Sequence, residues 1–440
     1  MDNTTTVAAP APTRSSSLSR NYPWLVFALA FGLLLADYMS RQVLSAVFPF
    51  LKAEWALSDS QLASLSSVVA LMVGLLTLPL SVLADRWGRV KSLVLMAVVW
   101  SVATLVCAVA TTYPQMLAAR FFVGVGEAAY GSVGVALVLS VFAAHRHAAL
   151  SGAFMAGGSF GSVLGVAAGG VIAVHLGWRW SFATMALFGL VLAVAFRAAV
   201  SEDRIARHAG EPTPDQAFRA PISTLFTNPA VLCAYVGSGL QMFTAAVLLS
   251  WTPSFFNRYY GLAPDRAAGS AAVIVTLVGT GMVVCGMITD RVGRVEMARK
   301  WVTAIAFCVI SLVALGIGFS LDTGAAQLVL LGIGAFFSGG SAGPTVAMVA
   351  NLTHPSVRAS AFGTLTLANS LLGLALGPFV VGVLADHLGL QTALRVMPVV
   401  SVPAVLALML GRRVYPLGLR KVAQVHAAAP RLVEKEYRTT

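Results

Sequence analysis

The sequence predicts an all-α membrane protein: twelve transmembrane helices in two pseudo-symmetric six-helix bundles. Three observations carry this. Charge is scarce, the positive residues sort onto alternate loops, and one short loop motif occurs twice at matching positions. Of 440 residues, 58% are hydrophobic and 10% charged, with a mean hydropathy of +0.83. A soluble domain carries about 25% charged residues. A chain this poor in charge cannot cover a water-facing surface, so lipid is its main solvent. The apolar runs Leu62–Ala84, Ser92–Ala110, Phe182–Phe196 and Trp301–Ser320 approach or exceed the roughly 18 residues that cross a bilayer as a helix. Strand-like alternation, which a barrel would need, is absent.

Twelve spans are expected at 22–50, 61–84, 92–112, 114–143, 150–173, 182–200, 228–256, 266–289, 300–319, 325–350, 359–385 and 393–413. They divide the chain into a tail (1–21), a six-helix bundle (22–200), a linker (201–227), a second bundle (228–413) and a basic tail (414–440). The linker is polar and contains Pro212, Pro214 and Pro221. The first twenty residues are polar and hold Arg14 and Arg20, and the apolar stretch after them is too long for a signal-peptide core. It is therefore expected to remain as the first span.

Net charge is +12. On a soluble protein that would point to nucleic acid; on this one it reports orientation. Of the 29 Lys and Arg, 22 fall on one set of loops and tails, 5 on the opposite loops (Lys52, Arg179, Arg258, Arg266, Arg395), and Arg41 and Arg120 lie inside spans. Positive residues mark the cytoplasmic side, so both termini are expected there, in a bacterial inner membrane. The cysteines Cys107, Cys233, Cys285 and Cys308 sit in apolar runs and read as small buried hydrophobes. No metal-ligand cluster, cofactor motif, catalytic motif or phosphate-binding G-x-x-x-x-G-K-[ST] loop is visible, so neither an enzyme nor an ATP-driven pump is expected.

The repeated motif follows spans 2 and 8. The first copy reads Ser81-Val-Leu-Ala-Asp-Arg-Trp-Gly-Arg-Val90 and the second Gly286-Met-Ile-Thr-Asp-Arg-Val-Gly-Arg-Val295. Duplicated halves are a common plan of secondary transporters, whose substrate site lies near the midplane between them. Asp85 and Asp290 are expected to cap or pair at a helix end. Gly88 and Gly293 permit a tight turn, and Arg86, Arg89, Arg291 and Arg294 anchor the loops at the cytoplasmic surface. Such loops can hold the bundles together on that side and release them.

These loops resemble the signature of the major facilitator superfamily, with Ser81 where that family usually has Gly. Arg120-Phe-Phe-Val-Gly-Val-Gly-Glu127 and Gly177-Trp-Arg-Trp-Ser-Phe182 resemble it too. Within the superfamily, Val125-Gly-Glu-Ala-Ala-Tyr130, Arg358-Ala-Ser-Ala-Phe-Gly363 and Leu376-Gly-Pro-Phe-Val-Val-Gly-Val-Leu-Ala-Asp386 resemble the spinster-like transporters. The organic anion–proton symporters are near relatives. The resemblance implies the major facilitator fold and alternating access.

Four charged residues lie well inside spans: Asp37, Arg41, Arg120 and Glu127. Such residues usually face a bundle interior or an aqueous cavity and are functional. At 1.5 Å per residue, Asp37 lies roughly 22 Å into span 1 and Glu127 roughly 20 Å into span 4, both near mid-membrane. Asp37 and Arg41 are four apart with the acid first, the favourable order for a helical ion pair; Arg120 and Glu127 share a face. The set sums to zero charge. An anion at Arg41 or Arg120 therefore needs a proton on Glu127 or Asp37, and burial beside a second carboxylate favours the protonated form. A static salt-bridge network locking spans 1 and 4 is the other reading. The resemblance implies Asn-Tyr-x-Asp-Arg in span 1, whereas this chain has Asp37-Tyr38-Met39-Ser40-Arg41. The acid stands one turn away, and Ser40 occupies its usual place.

The second half offers Gln241, Trp251, Phe336, Phe337 and Asn369, most of them readable as packing. Gly373-x-x-x-Gly377-Pro378 reads as a helix-packing or bending pattern, and His145 and His147 as surface residues. The expectation is a monomeric secondary transporter of a small organic solute, anionic or amphipathic, coupled to protons across the lipid bilayer. The alternatives are a spinster-like lysolipid, lipid or drug exporter, and a receptor or scaffold that no longer transports.

Overall fold

The computed structural model describes residues 17–142, 146–208, 223–294, 296–354 and 357–437. His145, Val295 and the linker prolines lie outside them. Among the described residues the chain is helical throughout, with twelve helices long and apolar enough to cross a membrane. They are Asn21–Trp55 (span 1), Asp59–Trp87 (2), Arg89–Val109 (3), Tyr113–Ser140 (4), Leu150–Leu176 (5), Trp178–Ala199 (6), Pro229–Tyr259 (7), Pro264–Gly293 (8), Arg299–Gly318 (9), Ala325–Asn351 (10), Ser360–Leu388 (11) and Leu390–Gln424 (12). Because their number is even, both ends of the chain emerge on one face, here called the terminal face; the opposite one is the far face.

All twelve expected spans are present. Span 12 departs furthest from its expected end at 413: its helix continues to Tyr437. Contacts with the second bundle hold the extension. Tyr415 packs edge-on against Trp301, and Asn228 Nδ2 donates to the Gly418 carbonyl at 3.3 Å.

Spans 1–6 pack together, and spans 7–12 likewise, with the seam between bundles formed mainly by spans 2 and 11 and by spans 5 and 8. Small residues make the close approaches possible. A Cβ on Gly161 of span 5 would lie 2.5 Å from the Leu35 carbonyl of span 1, and one on Gly382 of span 11 would lie 2.7 Å from the Asp59 carbonyl of span 2. Spans 2 and 11 turn into the next helix through Gly88 and Gly389, with φ of +103° and +78°. That region favours glycine.

Four spans are not regular α-helices; span 12 departs only by a short 3-10 segment, Met397–Val400. Span 4 breaks after Glu127 and resumes at Tyr130. Thr77 Oγ1 donates to the freed Ala128 carbonyl at 2.6 Å. Span 10, its counterpart in the second half, breaks after Ser338 and resumes at Ala342; there Gln241 Nε2 donates to the Ser338 carbonyl at 3.3 Å. The sequence reading had both spans continuous. The freed carbonyls are satisfied from neighbouring helices, as irregular backbone at membrane depth requires. Span 11 contains a π-helical stretch, Asn369–Ala375, just before Pro378. Pro378 has no N–H to give to the preceding turn, so the helical ladder is already interrupted there.

Candidate functional site

Three of the four intramembrane charges, Asp37, Arg41 and Glu127, meet inside the first bundle. Arg41 is the centre. Its Nη2 lies 2.9 Å from Glu127 Oε2 and 3.7 Å from Asp37 Oδ1, and its guanidinium stands 5.1 Å from the centre of the Tyr38 ring. Asp37 and Glu127 are both 2% exposed. Two acids therefore share one guanidinium. Span 1 supplies Asp37 and Tyr38 from one turn and Arg41 from the next. Span 4 supplies Glu127 as the last residue before its break.

Arg120 is fully buried and turns elsewhere. Its guanidinium donates to three backbone carbonyls: Leu65 at 3.1 Å, Ser40 at 3.3 Å and Arg41 at 3.4 Å. It pins spans 1, 2 and 4 together. The Ser40 hydroxyl lies 3.0 Å from that of Thr104 in span 3.

Arg41 and Arg120 both line a cavity of about 50 Å³ between the bundles. Gln42, Ser66 and Ala70 complete it from the first half, and Ala246, Leu249, Ser250, Leu374 and Pro378 from the second. Gln241 is fully buried against span 10. Asn369 opens the π-helical stretch, its Oδ1 buried and unpartnered. Trp251 donates through Nε1 to the Pro378 carbonyl at 3.1 Å, and its ring packs on Phe48 across the seam. Phe337 stacks on Phe307 within the second bundle. Gly373 meets span 7, a Cβ there falling 2.7 Å from that of Met242, in keeping with a packing role.

In the repeated loops Asp85 pairs with Arg89 at 3.1 Å and Asp290 with Lys300 at 3.0 Å. Gly88 makes the expected turn. Gly293 is instead the last residue of its helix, with the Lys300 stem folded over it. The two loops do not resemble each other in detail, because Lys300 has no equivalent after the first copy.

Sequence reasoning missed a second ionic cluster, on the far face. Asp59, 3% exposed at the start of span 2, receives two hydrogen bonds from Arg258 of span 7, at 2.6 and 2.8 Å, and one from Lys52 at 2.5 Å. Asp386, at the end of span 11, accepts from the backbone N–H of Asp59 at 2.6 Å and of Ser60 at 3.0 Å. It caps span 2 from the other bundle, where a carboxylate is favoured by the exposed N–H groups. Among the described residues, the hydrogen bonds that tie bundle to bundle converge here. One signal was available: Leu384-Ala-Asp-His-Leu-Gly389 repeats the pattern of Leu83-Ala-Asp-Arg-Trp-Gly88.

The comparisons agree with this architecture. A probable L-galactonate transporter of Escherichia coli is 25% identical over 343 residues, covering 73% of this chain and 74% of that one. Protein spinster of Drosophila melanogaster is 25% identical over 429 residues, covering 90% and 69%. A crystal structure of a bacterial homolog of the human lysosomal transporter spinster, inward-facing and unoccupied, superposes with a TM-score of 0.73 at 18% identity, covering 92% of this chain and 98% of that one. The sequence profile of the Major Facilitator Superfamily matches residues 30–371, and this chain, an integral membrane transporter and not an enzyme, belongs to that superfamily.

Proposed function

We propose that this chain moves a small organic anion across the membrane by alternating access, coupled to protons, with Arg41 as the exchange point between proton and substrate. The observation that carries this reading is the position of Arg41: it is held by Glu127 at 2.9 Å while it lines the cavity between the bundles. One guanidinium cannot serve two buried carboxylates and an incoming anion at once. An isolated buried charge is costly, so anion binding at Arg41 is favourable when Glu127 carries a proton. Loss of that proton returns Arg41 to Glu127 and expels the anion. Asp37, 3.7 Å from the same guanidinium, shares in the balance. The intramembrane charges sum to zero without substrate and again with one anion and one proton bound. The named relative that handles a sugar acid fits this class of substrate. The excess of positive loops on the terminal face supports a cytoplasmic placement of both ends.

The test is uptake into proteoliposomes under an imposed pH gradient. Wild-type flux of an organic anion should follow the gradient, and Glu127→Gln should retain exchange of substrate while losing gradient-driven accumulation. Accumulation by Glu127→Gln equal to wild type would remove Glu127 from the coupling; wild-type flux indifferent to the gradient would remove coupling altogether.

A spinster-like export of a lipid or drug is the second reading, favoured by the 90% coverage of this chain in the match to spinster. Transport of a neutral amphiphile independent of Arg41 would establish it.

A further inference from the structure

The cavity beside Arg41 and Arg120 has a chemical composition that says more than its charge. At about 50 Å³ it is far below the roughly 300–1,000 Å³ that engulfs a whole drug-sized ligand. It therefore takes an end of a substrate, with the body lying outside it. Guanidinium groups only donate hydrogen bonds. A ligand bearing nothing but a carboxylate would be satisfied by them alone.

Three neutral side chains line the same cavity: Gln42 and Ser66 from the first bundle and Ser250 from the second. Other buried hydroxyls nearby are engaged, Ser40 with Thr104 and Thr77 with two carbonyls. By contrast the side chains of Gln42, Ser66 and Ser250 make no hydrogen bond with the described protein, although Ser250 is only 7% exposed. Arg41 Nε is likewise buried without a partner. The neutral groups add what the guanidiniums lack, namely acceptor oxygens. An acceptor is useful to a ligand that brings its own donor.

We infer that this cavity is a head-group pocket for a hydroxycarboxylate: the guanidinium of Arg41 takes the carboxylate, and Ser250 accepts a hydrogen bond from the neighbouring hydroxyl. The inference rests on the anion reading above and narrows it. Ser250 is the polar contribution of the second bundle, so the hydroxyl is also the part of the substrate that touches both halves. Ala70, Ala246, Leu249, Leu374 and Pro378 make up the apolar remainder of the lining. A site built to bond a hydroxyl discriminates strongly against the analogue lacking it, because its own polar groups are then left unpaired.

The experiment compares D-gluconate with hexanoate, six-carbon acids with and without hydroxyls, as competitors and as ligands in tryptophan-fluorescence titration of the purified full-length protein. Gluconate should bind at least tenfold more tightly than hexanoate. Ser250→Ala should shrink that ratio to within about threefold by weakening gluconate alone, and Ser250→Thr, which keeps the hydroxyl, should restore part of it. Unchanged thermal melting of Ser250→Ala verifies folding. Equal binding of the two acids by wild type, with loss of both in Arg41→Ala, overturns the hydroxyl inference and leaves the anion reading standing. A full gluconate preference in Ser250→Ala also overturns it. Binding of neither acid by wild type overturns both.

Discussion

The far-face cluster gives a quantitative expectation for the conformational equilibrium. Replace Arg258 by Gln. The change removes two charge-assisted hydrogen bonds to Asp59, at 2.6 and 2.8 Å, and leaves a shorter, neutral polar side chain. Bonds to a charged group contribute about 1.5–3 kcal/mol each when buried. Two features reduce the total. The Arg258 side chain is 26% exposed, so its charge is partly screened. Lys52 remains 2.5 Å from Asp59, so the acid is not left alone. A net loss of about 1.5–3 kcal/mol is reasonable for the pair together, and at 1.4 kcal/mol per factor of ten this is roughly a 10- to 150-fold shift toward states open on the far face. The assay is double electron–electron resonance between spin labels at Ala53→Cys and Ala263→Cys, both exposed on that face; the native cysteines are buried or half-buried. The variant should gain a long-distance population absent from the parent, and Arg258→Lys should lie between them. A distance distribution identical to the parent's would refute the claim that this cluster holds the far face shut.

Four further outcomes follow from the same structure. Asp386→Asn removes the charge from the cap on span 2 while retaining an acceptor oxygen; the same label pair should show a smaller shift than Arg258→Gln, of about 0.3–1 kcal/mol. Ser40→Ala loses one buried hydrogen bond to Thr104 and should lower stability by about 1 kcal/mol, read as a small drop in melting temperature, with gradient-driven transport unchanged. Arg41→Lys keeps the charge but not the planar fork, so anion affinity should fall at least tenfold in competition assays while the protein folds normally. Gly281→Ala drives a methyl group into the Phe336 carbonyl at the contact of spans 8 and 10; overpacking of this kind costs about 1–3 kcal/mol or more, visible as reduced yield and melting temperature in detergent.

The number of spans and the division into halves were legible because lipid imposes a simple rule: long apolar helices joined by short polar loops. The meeting of Asp37, Arg41 and Glu127 was legible for the same reason, since buried charge is rare and seeks its opposite. The destination of Arg120 was not. A guanidinium is satisfied by carbonyls as readily as by a carboxylate, and backbone carbonyls leave no trace in sequence. The far-face cluster escaped because Asp59 and Arg258 sit at span ends, where a charge ordinarily meets water; only the packing of span 11 on span 2, with Arg258 reaching across from span 7, encloses the acid. The helix breaks at Ala128–Ala129 and Gly339–Ser341 escaped as well, because the carbonyls they free are bonded by Thr77 and Gln241 from other spans.

Those two breaks bear on how such a molecule moves. The segment before the break is 15 residues in span 4 and 14 in span 10, so each bundle contains a strut jointed in this way, hinged at about the same height. A bundle with a joint need not swing as a single block. Half of the strut can lean while the other half stays seated, and a path to the membrane centre can widen on one side before the other side has shifted. Glu127 is the last residue of its half-strut. Whatever changes its partnership with Arg41 therefore acts directly on a pivot, with no need for the signal to cross the fold.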